Sequence, residues 1–157
     1  MPFLVDVALI WVGAIAMFRY RARFGRIAKS PIARLLLFFV TLILLIYVEE
    51  SINCIDYGDG LGCRVTPWIN AVLCVYVCGA ALLVRKTNAY GRVLLGAASI
   101  GVLWEVCCSG LRTLPFSAFY VFMTAHVFLS YVFILAWPLF LAAQSRPPRQ
   151  RVNTPPR

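Results

Sequence analysis

Charge is what this chain has least of. Only 13% of its 157 residues are charged, six are acidic and one is a histidine. A soluble domain is about 25% charged and needs those groups to cover its surface. With 62% hydrophobic residues and a mean hydropathy of +0.83, a water-soluble globule is excluded. The familiar catalytic motifs are missing too. There is no glycine-rich phosphate loop, no H-E-x-x-H, no nucleophile elbow and no Cys-x-x-Cys. A single histidine excludes a bis-histidine haem within one chain. We therefore expect a non-enzymatic chain with no cofactor, no metal site and no catalytic residue.

What the sequence does have is long apolar runs. A hydrocarbon core of about 30 Å needs about 20 residues of helix at 1.5 Å each. Five runs qualify, at about 2–18, 31–50, 67–84, 93–109 and 115–143. The expected fold is all-α, a polytopic transmembrane bundle of five helices forming one domain over residues 1–145. The first run lacks a basic n-region and a small-residue cleavage site, so it counts as a span. Ser30 before Pro31 is a good helix start, because the hydroxyl can accept from free amides and proline at the first helical position loses no bond. Pro67 and Pro115 are expected to open the third and fifth helices in the same way. Pro138 predicts a kink or an early exit from the fifth. The tail 146–157 is basic and proline-rich and is expected to be disordered.

Thirteen of the fifteen Lys and Arg residues fall in three segments: after helix one (Arg19, Arg21, Arg23, Arg26, Lys29, Arg34), after helix three (Arg85, Lys86, Arg92) and in the tail. Alternating crossings put all three on one side. By the positive-inside rule that side is the cytoplasm, which gives an outside N-terminus and a cytoplasmic C-terminus. The net charge of +9 then reads as a topology signal beside anionic lipid, and no nucleic-acid partner is expected. Tyr47 and Trp68 fall at the outer interface, with Tyr20, Tyr90 and Trp137 near the inner one.

The segment from Val48 to Trp68 holds the largest share of the acid, with Cys54 and Cys63 around Gly58, Gly60 and Gly62. Facing the outside of a bacterial inner membrane, the two cysteines are expected to form a disulfide. A loop this short contributes about 2–3 kcal/mol by restricting the unfolded chain.

Carboxylates at membrane depth are costly, at least about 2.5 kcal/mol on insertion scales. Asp6 and Glu105 therefore need partners. On helix four, Ala98, Gly101, Val102, Glu105, Cys108, Ser109 and Arg112 form one stripe that should face other helices, with Arg112 reaching back to Glu105. Asn70, Cys74 and Cys78 share a stripe on helix three, and His126 lies on helix five with Ser130 one turn on. An intramembrane polar cluster of Asp6, Asn70, Glu105, Arg112 and His126 in the outer half is expected to fix helix register. Ala97 and Gly101 are a small-xxx-small pair suited to close helix contact.

The functional expectation is a small subunit or modulator of an inner-membrane assembly, whose partners are the lipid bilayer, other membrane-protein subunits or further copies of itself. Three alternatives stand beside it: a holin-type permeabilising protein, an ion- or proton-coupled transporter or channel using Glu105 and His126, and a membrane thiol oxidoreductase.

Overall fold

The computed structural model describes residues 3–27, 29–56, 67–108 and 110–144. Among them the chain is all-helical, with α1 (Phe3–Gly25), α2 (Pro31–Asp56), α3 (Pro67–Thr87), α4 (Tyr90–Cys108) and α5 (Ala118–Gln144), and a short 3-10 helix at Gly110–Thr113. Four helices, α2 to α5, are long and apolar enough to cross a membrane. α1 is not among these four, and it carries Arg19, Arg21 and Arg23 inside the helix. It nevertheless packs along α5.

Several boundaries differ from the sequence expectation. α1 continues past residue 18 to Gly25, because arginine is a good helix former whose long side chain can carry its charge away from the apolar face. Arg21 donates from Nη1 to the Phe18 carbonyl and lies over the Phe18 ring at 4.0 Å. α2 runs on through Asp56, which places Cys54 on a helix. Cys63, and with it the expected disulfide, lies outside the described residues, as does the tail 146–157.

At the start of α2, Ala33 N–H donates to Ser30 Oγ at 3.0 Å and Arg34 N–H to the Ser30 carbonyl. This is the cap expected of Ser30-Pro31. Pro115 does not open α5. Ser117 does, its Oγ accepting from Tyr120 N–H at 3.2 Å, and Pro115 stays in the link from the 3-10 helix. α5 also passes through Pro138 without an early exit. Proline removes only one N–H, and packing on every side holds the helix together across the gap.

α3 and α4 are joined by Asn88 and Ala89 alone. Asn88 has φ 58°, the left-handed conformation that ends helices, and its N–H donates to the Val84 carbonyl at 2.9 Å. Asn88→Val should lower stability by about 1–2 kcal/mol, the cost of forcing a bulky residue into this region, whereas Asn88→Gly should cost little. Thermal unfolding in mild detergent would measure both.

The bundle is organised around α5, which touches all four other helices, while these touch one another less. Its sequence is apolar on every side, the pattern of a central helix rather than a peripheral one. From Val132 to Ala142 nearly every residue is buried. α1 runs parallel to α5: Gly13 faces Phe133, and Trp137 Nε1 donates to the Met17 carbonyl at 2.9 Å. α4 runs antiparallel, with Gly101 against Tyr131 and Tyr90 Oη donating to the Ala136 carbonyl at 3.0 Å. α2 is antiparallel as well. Its Arg34 Nη1 donates to the Gln144 carbonyl at 2.7 Å.

These directions gather the C-terminal end of α1, the start of α2, the α3–α4 link and the end of α5 at one end of the bundle, the basic end. Tyr90 and Trp137 lie there as expected, but as ties between helices. Trp137 stacks on Phe24 at 3.8 Å, and Arg21 sits 5.7 Å from the Tyr90 ring.

Candidate functional site

Hydrophobic driving force between helices is absent in lipid, so association depends on close packing and on small residues that permit it. Two glycines meet that need. A Cβ on Gly101 would fall 2.5 Å from the Tyr131 ring, and one on Gly13 would fall 2.7 Å from Phe133. With Ala97 and Ala98 also buried, the small-xxx-small stripe of α4 is the surface on which α5 rests. Farther along, the stripe opens: Val102 and Glu105 are half-buried and Cys108 is exposed.

The polar groups collect toward the other end. Tyr131 packs edge-on to Tyr76 with centroids 6.1 Å apart, so Tyr76, Gly101 and Tyr131 mark one level through α3, α4 and α5. Counting about 1.5 Å per residue from that level, Glu105 lies about 6 Å, His126 about 7.5 Å and Asn70 about 9 Å toward the acidic end. Three of the five residues expected in the cluster therefore share a layer. His126 is 6% exposed, with Ser130 at 4% one turn nearer the basic end. Asn70 is half-buried.

Of the other two, Arg112 does not join them. Asp6 is on α1, but its side chain lies outside the described residues. Arg112 is exposed, and among the described residues it makes no ion pair with Glu105. The reason is local. α4 ends at Cys108 and the chain tightens into the 3-10 helix, which takes Arg112 off the α4 stripe.

Sequence reading missed Glu49. It is only 7% exposed, on the face of α2 toward the bundle. Counting residues from the Arg34–Gln144 contact puts it near the level of Ser130. Its hidden face had one signal: Leu42, Leu45, Ile46 and Glu49 follow helical spacing, and all four are buried. Trp11 was missed as well. Its ring stacks on Phe122 at 5.7 Å.

Three buried polar atoms, Trp11 Nε1, Asn70 Oδ1 and Ser130 Oγ, have no hydrogen-bond partner among the described residues. Removing such an atom while keeping the volume is neutral or stabilising. Ser130→Ala and Asn70→Leu should therefore leave the unfolding free energy in detergent unchanged or raised, by up to about 1–2 kcal/mol. A marked drop in either would mean that the group carries a bond essential to the fold.

The four membrane cysteines stand apart from one another in role. Cys74 and Cys78 pack against the core on α3, whereas Cys107 and Cys108 are exposed at the end of α4. Among the described residues no three of His, Cys, Asp and Glu gather closely enough to hold a metal ion.

Toward the basic end the core changes character. Ile10, Ala14, Leu42, Val77, Ala81, Val84, Leu94, Leu135 and Leu139 pack into one apolar cluster. Tyr76 Oη donates to the Ala97 carbonyl across the α3–α4 seam. Comparison of the chain with protein-family models, with curated proteins and with solved structures gives no match.

Proposed function

We propose that this multi-pass helical protein is a non-catalytic subunit or modulator of an assembly in a bacterial cytoplasmic membrane. Its N-terminus is outside and its basic end is in the cytoplasm. The observation that carries this reading is the division of the core. The buried Glu49, His126 and Ser130 lie in one half, whereas in the half nearer the basic end the buried Thr41 donates to the Leu37 carbonyl of its own helix and apolar residues pack around α5. A carrier or channel working within one chain needs polar groups along its whole path. A bundle closed on one side suits a protein that is held rigid and recognised by its neighbours.

On this reading Glu105 and His126, with Glu49 near them, set helix register, and Cys54 pairs with Cys63 in the outer segment. Isolation of the tagged chain from its native membrane in mild detergent tests the proposal. A membrane protein recovered in fixed ratio with it, lost when the detergent is made harsh, is the expected result. Recovery of the chain alone, together with a collapse of membrane potential on expression, would favour a permeabilising protein instead. A second reading, an ion or small-molecule site open to the outside, draws on the shared level of Glu105 and His126. It should be dropped if Glu105→Gln and His126→Ala leave both folding and flux unchanged.

A further inference from the structure

Two glycines, Gly79 on α3 and Gly96 on α4, behave unlike Gly13 and Gly101. A Cβ at either would meet nothing within 4 Å. They flank a cavity of about 610 Å³ between α3 and α4, floored by Tyr76, Ala80 and Ala97 and lined toward the α3–α4 link by Thr87, Ala89 and Arg92. Its walls are apolar along almost their whole length. From Ala89 to Ile100 the groove follows α4 for about 16 Å, close to half of a hydrocarbon core of about 30 Å. It is one leaflet deep.

The end of the groove at the α3–α4 link is charged. Arg92 is exposed and makes no ion pair among the described residues, and the last turn of α3, at the same end of the bundle, carries Arg85 and Lys86. None of the six acidic residues belongs to the segments that form this end. α4 also begins here, where the first amides of a helix have no intrahelical acceptor and the dipole is positive. Position 89, just before the helix, is alanine, which offers no capping oxygen.

We propose that this groove holds one anionic phospholipid, with an acyl chain lying along Gly79 and Gly96 and the phosphate at Arg92 and the start of α4. A second copy is the poorer occupant. Copies inserted in the same orientation would bring one basic end against another, whereas an anionic headgroup is complementary to it. The proposal holds whichever compartment the basic end faces and whatever partner the chain has.

Native mass spectrometry of the whole chain in mild detergent, offered equal phosphatidylglycerol and phosphatidylcholine, provides the test. The wild type should retain phosphatidylglycerol with a preference of about fivefold or more, the scale of one cation near an anionic lipid surface. Arg92→Gln should bring the two lipids to near parity. Gly96→Leu should lose the retained lipid while remaining helical, because its side chain enters open space. Ser99→Leu adds the same bulk on an exposed part of α4 outside the groove and should retain the lipid.

Equal retention of both lipids by the wild type would overturn the proposal. So would an undiminished preference in Arg92→Gln, or lipid kept by Gly96→Leu. A wild-type dimer abolished by Gly96→Leu would assign the groove to a second copy and would likewise overturn it.

Discussion

Gly101→Leu is expected to break the contact between α4 and α5 and to lower the stability of the bundle by about 1–3 kcal/mol or more, the cost of overpacking a filled site. The Tyr131 ring occupies the space where even a Cβ would go. It cannot retreat freely, because it also packs against Tyr76. In water, hydrophobic burial would offset part of such a loss. In lipid there is no comparable gain, and close approach is what holds the helices together. Gly96→Leu, on the same helix, should be tolerated. Unfolding of both variants by a denaturing detergent, followed by helicity, reads the contrast. Equal loss in the two would mean that leucine is harmful through α4 itself and not through its contact with α5.

The second large effect concerns α1. Arg19, Arg23, Arg26 and Lys29 are exposed at the basic end. Each cation near an anionic leaflet contributes about 1 kcal/mol, so replacing these four by glutamine removes about 4 kcal/mol of orienting free energy. Arg21 and Arg34 are left in place, since each makes a hydrogen bond within the bundle. The expected outcome is a mixed population in which α1 fails to cross in a large fraction of chains. The remaining helices should stay oriented by Arg85, Lys86 and Arg92. A reporter fused at the N-terminus, assayed on both sides of the membrane, measures that fraction. A unique orientation in the variant would mean that packing of α1 on α5 alone decides its direction.

The helices were legible because their signals are local. Apolar run length fixes a span, and Ser30-Pro31 fixes an end. Boundaries shifted where helix propensity outlasts hydropathy. Arginine continues α1 beyond the apolar run, and α2 continues through Glu49 and Glu50 toward Cys54. The site was read less completely, for a related reason. Run length and rise per residue put Asn70, Glu105 and His126 in the outer half of the bundle, and their common level emerged only from the packing of Tyr76, Gly101 and Tyr131. Rise per residue did not give rotation about the helix axis, which packing decides. Glu49 therefore emerged buried only once α2 was placed against α5. The central position of α5 had a signal, its lack of any polar face, but that signal does not say which helices surround it. Arg112 was misplaced because a stripe drawn on an α-helix loses its meaning where the chain tightens to a 3-10 turn.

The account rests on α1 crossing the membrane beside α5, so that the basic segments share one face and the chain ends lie on opposite sides. The direct measurement is protease access to tags at the two ends of the native chain in intact spheroplasts. Loss of the N-terminal tag with the C-terminal tag protected is the predicted result. Protection of both tags until the membrane is opened would mean that α1 does not cross, and would contradict the account.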